Sequence, residues 1–286
     1  DPIKEVAAMQ HLQRFVEDET RREEDMRALQ LRHNGRREDP WTRAWTMEEG
    51  ETQYAAWSPM ERSHIVLPTD LLSDEENLYS VTPFCEGGRL LEVLEAKGRF
   101  SEPEARYWMQ QILEGLSCLK RAGVCHRDMS PENLMVHEGN VYIIDLGMCL
   151  RIPSFDDRDI ADDGRHSADP RRRSLILPQS ACGKWYYLSP EVCESAEPFD
   201  GPAVDLWAAG VMLFTMLTGL PPWEEPRTTD ENFGLMSTGH LAGMLTERRA
   251  GLSADALDLL QRMFWVDPAD RLSLEQVMAH PWMTHG

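Results

Sequence analysis

Three residues near the middle of the chain define the chemistry it can support. Asp128 lies on a loop between a long helical pattern and a short β-branched run, Asn133 follows five positions later, and Asp145-Leu146-Gly147 comes directly after the run. Phosphoryl transfer asks for this set. One carboxylate orients an attacking hydroxyl and receives its proton, while a second carboxylate and an amide oxygen hold Mg2+ against a triphosphate. Carboxylate and amide oxygens are hard donors that suit Mg2+, and a hairpin between the two segments would bring them together.

The elements that must position these residues are legible on both sides. Ser101-Glu102-Pro103-Glu104 is a capping box with Pro in the first turn. Trp108, Met109, Ile112, Leu113, Leu116 and Leu119 then recur at helical spacing. Val141 to Ile144 is a short β-branched strand. Downstream, a mixed segment from Arg151 to Ser180 carries Asp-rich and Arg-rich blocks, and helical patterns follow near 203–218, 253–264 and 273–280.

Toward the N-terminus, residues 2–31 read as a helix, with Ile3, Val6, Met9 and Leu12 at three-residue spacing and no Pro or Gly to interrupt them. Past Leu12 the segment becomes highly charged, and from Gly35 to Met60 there is no clean period but three tryptophans. Residues from about 13 to 62 therefore read as an insertion, whose tryptophans either pack on the parent domain or anchor a partner. Ile65-Val66-Leu67 and Leu78-Tyr79-Ser80-Val81 read as an antiparallel pair of strands, with the acidic turn Ser73 to Asn77 just before the second. The fold class is α+β. A small strand-containing part covers 1–82 (strands within 65–82), a connection covers 83–88, and a mainly helical part covers 89–286.

The chain of 286 residues carries a net charge of −20. Such a surface repels phosphate backbones and anionic lipid heads, so roles on nucleic acid or at a membrane surface are not expected, and solubility is the plainer meaning of the charge. The six cysteines form no C-x-x-C pair and no His cluster has metal-ligand spacing, which points to thiols in a reducing compartment and a cytoplasmic protein. The apolar run Leu206 to Leu220 is interrupted by Thr215 and Thr218 and reads as a buried core helix. Residue 1 is Asp, no signal peptide is visible, and a monomer is expected.

The run His126-Arg127-Asp128-Met129-Ser130-Pro131-Glu132-Asn133-Leu134-Met135 resembles the catalytic loop of eukaryotic protein kinases, and Asp145-Leu146-Gly147 resembles the metal-binding Asp-Phe-Gly of that family. Ser189-Pro190-Glu191 resembles its Ala-Pro-Glu. Asp205-Leu206-Trp207 with Gly210 resembles the helix motif that follows, and Arg271 fits the arginine that pairs with that Glu. The motifs stand in family order over roughly residues 62–286. The resemblance implies a two-lobe fold, Mg-ATP as phosphate donor and protein hydroxyls as acceptors. It implies Asp128 as catalytic base, Asn133 and Asp145 as Mg2+ ligands, and Pro83 and Cys85 in a hinge that meets adenine. Thr82 would stand at the gatekeeper position and Met135 would floor the adenine site. Core packing is the other reading of Cys85 and Met135.

The chain departs from the pattern in four places. No Gly-rich loop or strand lysine precedes Lys4-Glu5-Val6-Ala7-Ala8-Met9, which resembles the helix whose glutamate (here Glu5) pairs with that lysine. The chain reads as cut just after the missing strands, with weak activity expected of the piece, and a solvated helix position is the other reading of Glu5. Ser130 stands where Ser/Thr kinases carry Lys, and Lys184 follows Gly183 where they carry Thr, as though exchanged. Lys184 would then supply the ammonium from the opposite loop, hydrogen-bonded to Ser130 or Asp128; the alternative is a solvent-facing lysine. Leu146 replaces Phe as an apolar plug, with His126 and Met9 as its implied neighbours. Finally, the long segment from Asp145 to Glu191 holds Ser167, Ser174 and Ser180 as phosphorylation candidates, Ser174 directly after Arg171-Arg172-Arg173. A mobile charged loop is the alternative.

The chain lacks the catalytic-loop insert of tyrosine kinases, and Tyr187 fits the Ser/Thr pattern. The leading expectation is a Ser/Thr kinase similar to calcium/calmodulin-kinase-like members. A pseudokinase scaffold is the rival, opposed by intact Asp128, Asn133 and Asp145. A small-molecule phosphotransferase is opposed by the Ser189-Pro190-Glu191 platform.

Overall fold

The structure, a computed structural model, describes residues 2–33, 60–153, 174–194, 197–247 and 251–284. Trp41, Trp45, Trp57, Ser167 and Arg171 to Arg173 lie outside the described residues.

Helix α1 (Pro2–His33) buries Met9, Leu12 and Val16, an i, i+3, i+7 stripe, while Ile3 is exposed. The helix runs on through the charged stretch to His33. Glu and Arg are good helix formers, no Gly or Pro intervenes, and Glu19 accepts two hydrogen bonds from Arg121 at 3.1 Å each. His11 Nε2 meets the Ala122 carbonyl at 2.7 Å, so α1 is fastened to the C-terminal end of the helix Glu102–Arg121.

The expected strand pairing is corrected. The N-terminal hairpin consists of β1 (Asp70–Ser73) and β2 (Leu78–Val81), in register Asp70↔Val81 to Ser73↔Leu78. Ile65, Val66 and Leu67 dock singly instead, all buried. Ile65 bridges Ile143, and the Val66 N–H donates to the Ile143 carbonyl at 2.9 Å. Pro68 has no N–H with which to extend such a ladder. The turn is shaped by Asp74, which accepts from the Tyr79 hydroxyl at 2.7 Å and from the N–H groups of Glu76 and Asn77; these bonds hold its carboxyl below the usual range.

The larger part is built on two long helices. Helix α2 (Leu90–Lys97) leads into α3 (Glu102–Arg121), whose start is the expected Ser101–Glu104 capping box. Strands β3 (Val124–Cys125), β4 (Leu134–His137), β5 (Asn140–Ile143) and β6 (Leu150–Arg151) form two antiparallel pairs, β3 with β6 and β4 with β5. The β4–β5 hairpin lies on α3, where Gln111 Oε1 accepts the Val141 N–H at 2.8 Å. Strand β7 (Leu175–Ile176) pairs with β8 (Phe199–Asp200), and α4 (Pro190–Glu194) lies between them in sequence. Helix α5 (Gly201–Thr218) packs on α3. It is long and apolar enough to cross a membrane, yet 78% of it is buried in the protein, as a core helix requires. Helices α6 (Glu231–Ser237), α7 (Leu241–Glu247), α8 (Ala254–Met263), α9 (Leu274–Met278) and α10 (Pro281–Thr284) complete this part. Trp207 is fully buried among Trp223, Phe233 and Phe264, with ring centroids 5.3 to 6.3 Å away.

Candidate active site

A buried carboxylate sets the loop. Asp205, on α5, accepts from the N–H groups of His126 and Arg127 at 2.7 Å each. Burial pushes its carboxyl up, against the pull of these donors. The two bonds hold Arg127 at φ 70, a conformation that costs a non-glycine residue roughly 1–2 kcal/mol. His126, also buried, accepts the Asp128 N–H at Nδ1 (3.2 Å) and therefore donates from Nε2 to the Ile144 carbonyl (2.9 Å). One imidazole thus ties the loop to the segment that carries Asp145.

Asp128, Asn133 and Asp145 are brought to one place by the β4–β5 hairpin. Asn133 ends a 3-10 turn just before β4, and Asp145 stands two residues past β5. The Asn133 amide donates to the Asp128 carbonyl at 2.7 Å and to Asp128 Oδ2 at 3.0 Å. That leaves the Asn133 amide oxygen directed away from Asp128. Asp128 Oδ1 is buried with no hydrogen-bond partner, an uncommon state that fits an atom awaiting a substrate proton. Asp145 is exposed at φ 64, and its Oδ1 accepts the Gly147 N–H at 3.2 Å. One carboxylate and one amide oxygen make a thin cage by themselves. They suit Mg2+, which takes one or two protein oxygens and fills its remaining positions with water and phosphate.

Lys184 enters from the opposite loop. Its Nζ donates to Ser130 Oγ at 2.6 Å and stands 3.5 Å from Glu132 Oε2. Gly183 makes the approach possible. At φ +97 it is open to glycine, and a Cβ there would lie 2.9 Å from the Arg127 carbonyl and 3.2 Å from Asp128 Oδ1. Sequence reading singled out neither Glu132 nor the close approach of Gly183. The signal for Glu132 was its position two residues after Ser130; Gly183 was read only as the residue before Lys184.

The remaining predicted residues are placed as follows. Glu5 is half-buried, with Oε2 3.7 Å from where a Cβ on Gly147 would sit, so α1 brings it beside Asp145-Leu146-Gly147. Leu146 and Met9 are buried in one core cluster. Residues 82–88 are pinned to β4, where the Gly87 N–H donates to the Val136 carbonyl (2.9 Å) and the Val136 N–H donates to the Gly88 carbonyl (2.8 Å). Thr82 is exposed and Pro83 half-buried; Cys85 is buried, which pushes its thiol up, and Met135 is half-buried. Arg271 grips Glu191 with two bonds, at 2.9 and 3.1 Å, and lies over the Trp207 ring at 4.7 Å. The Arg127 guanidinium donates to the Ser180 carbonyl at 3.0 Å and faces the Phe199 ring at 5.7 Å. Ser180 is exposed and Ser174 half-buried.

Comparison with known proteins bears on this geometry. The family model described as "protein kinase domain" matches residues 36–283. Protein kinase kin1 of Schizosaccharomyces pombe is 31% identical over 225 residues, 78% of this chain and 22% of that protein. SNF1-related protein kinase catalytic subunit alpha KIN12 of Arabidopsis thaliana is 31% identical over 223 residues, 78% of this chain and 40% of that protein. Serine/threonine-protein kinase CHK1 of Mycosarcoma maydis is 32% identical over 206 residues, 72% of this chain and 28% of that protein. The chain thus spans between 22 and 40% of the length of these relatives.

Proposed function

For a chain that belongs to the protein kinase domain family, we propose transfer of the γ-phosphate of Mg-ATP to serine and threonine hydroxyls of protein substrates. The observation that carries this is the Asp128–Asn133 pair. One amide fixes one carboxylate oxygen and leaves the other, Oδ1, buried and unpartnered beside the loop of Lys184. The relative named as a serine/threonine-protein kinase supports the acceptor class.

In this reading Asp128 Oδ1 orients the acceptor hydroxyl and receives its proton. Asn133 keeps the carboxylate in place through Oδ2, and its amide oxygen with Asp145 would hold the metal. Bound Mg2+ supplies charge neutralisation on the phosphate oxygens. Cys85 and Pro83 offer backbone groups to the base of the nucleotide, with Met135 beneath it. Glu5, next to Gly147, stands ready for a cation that reaches the phosphates. A reducing, cytoplasmic setting belongs to the same reading; the buried thiols of Cys85, Cys118, Cys125 and Cys149 support it.

The test is Asp128→Asn in the natural full-length protein, assayed on a mixed peptide library. Loss of a positioned general base lowers kcat by about 10²–10⁴-fold with an unchanged melting temperature. Transfer at the wild-type rate, or phosphotyrosine as the main product, would overturn the proposal.

A further inference from the structure

The kinase reading leaves one cation beside the reacting centre without a role. Lys184 is one-third exposed, with 35% of its side chain accessible, yet its ammonium is not a free surface charge. It donates at 2.6 Å to the hydroxyl of Ser130, a residue with no solvent exposure. Glu132 Oε2, at 3.5 Å, is too far for a good hydrogen bond and acts as a counter-charge; that oxygen has no hydrogen-bond partner at all. Among the described residues, then, one of the three ammonium donors is committed to a protein acceptor.

Both backbones that meet here are fixed. Ser130 opens the 3-10 turn Pro131–Asn133, and the Asn133 N–H donates to its carbonyl at 3.0 Å. Lys184 opens the 3-10 turn Trp185–Tyr187, and the Tyr187 N–H donates to its carbonyl at 2.9 Å. Gly183 packs so closely on the Arg127 carbonyl, with Asp128 Oδ1 beside it, that no side chain fits there. The lysine is therefore carried to the edge of the proton acceptor by a rigid turn, and a buried hydroxyl holds its ammonium there.

We propose that Lys184 is a catalytic residue whose ammonium, positioned by Ser130, binds the phosphoryl oxygens during transfer; the proposal rests on the kinase reading above. In the step itself the acceptor oxygen forms a bond to the γ-phosphorus, the bond from that phosphorus to the bridging oxygen breaks, and its electron pair leaves with ADP. The acceptor proton passes to Asp128. Lys184 neither gains nor loses a proton. Its charge opposes the charge on the transferring oxygens, which is greatest in the transition state, and a preorganised donor acts most strongly there. Ser130 is a positioning residue, because it reaches the phosphate only through Lys184.

Four variants of the natural full-length protein test this: Lys184→Ala, Ser130→Ala, Ser130→Thr and the double exchange Ser130→Lys with Lys184→Thr. Each is measured for kcat, for melting temperature, and for the affinity of ADP with and without aluminium fluoride, a mimic of the phosphoryl group in flight. Loss of one such donor lowers kcat of Lys184→Ala by about 10²–10³-fold, weakens the ADP–aluminium fluoride complex in proportion, and leaves ADP alone within about threefold. Ser130→Ala loses less, and Ser130→Thr, which keeps a hydroxyl, recovers most of that loss. The double exchange restores kcat to within about tenfold of wild type, because it returns one ammonium to the same space. Wild-type turnover in Lys184→Ala, or equal loss of both nucleotide complexes, overturns the proposal. So does a double exchange as inactive as Lys184→Ala while melting like wild type. An inactive wild-type protein would instead refute the kinase reading on which the proposal stands.

Discussion

Two hairpins of the same size have opposite fates in this molecule. The β1–β2 and β4–β5 hairpins are both antiparallel ladders of four residue pairs. In β4–β5, Leu134, Val136, Val141, Tyr142 and Ile143 are buried, β5 packing on α3 and β4 on α2. In β1–β2, Leu72, Leu78, Tyr79 and Val81 are all exposed. An isolated two-stranded ribbon is marginal in water, and it becomes firm only when one face is covered. Backing, not hydrogen-bond count, separates the two. The residues proposed for chemistry stand at the ends of the backed one: Asn133 enters β4 and Asp145 leaves β5.

The comparison is broken most severely by removing the backing. Ile143 is fully buried, and its Cδ1 lies 2.6 Å from where a Cβ on Gly115 of α3 would sit. Ile143→Ala leaves a cavity at that contact and is expected to destabilise the protein by about 2–5 kcal/mol. Because the β4–β5 hairpin carries both Asn133 and Asp145, kcat should fall as well. Chemical denaturation and a turnover assay on the same sample check this; a loss below about 0.5 kcal/mol would show that the hairpin does not depend on α3.

The same contrast explains what the sequence disclosed. The α3 stripe, the Ser101–Glu104 cap, the β5 strand and the three polar residues of the site were all readable, because they combine a strong local period with residue types that chemistry restricts. Arg271 and Glu191, far apart in sequence, were identified through their resemblance to a motif and meet as implied. The N-terminal strands were misassigned for a physical reason. Ile65-Val66-Leu67 is more apolar than Asp70-Leu71-Leu72-Ser73, so burial was mistaken for pairing with β2, when Ile65 and Val66 meet Ile143 of β5 instead. The role of Gly183 was hidden because a close backbone approach leaves no trace in residue type beyond the glycine itself. Helix α1 outran its apolar stripe because an ion pair to Arg121 and good intrinsic propensity carry a helix where periodicity has stopped.

A milder substitution sharpens the comparison from the other side. Val81 closes the β1–β2 ladder opposite Asp70 and is 44% exposed. Val81→Thr keeps the β-branch and covers no less of any neighbour, so stability should change by at most about 0.5 kcal/mol with kcat unaltered. A change of several times that size, read by the same denaturation experiment, would mean that this hairpin too is covered by something in the working protein.

The smallest effect tests the end of the backing helix. Glu104 closes the cap at the start of α3. It accepts from the N–H and hydroxyl of Ser101 at 3.1 and 2.8 Å and pairs with Lys97. The Lys97 bond first, then the Ser101 bonds, pull its carboxyl from the ordinary 4.5 down to about 2. A carboxyl depressed in the folded state stabilises that state fully above its unfolded value. The contribution is lost as pH falls toward the folded value, here between 4.5 and about 2. The side chain is open to solvent, with 41% of it accessible, so the effect is small and screened by salt. Glu104→Gln should therefore lower the urea midpoint slightly at pH 7. Its difference from wild type should shrink steadily as pH drops through that window and also shrink when salt is added at pH 7. A difference that stays constant with pH would show that the cap is held by hydrogen-bond geometry alone, without the charge.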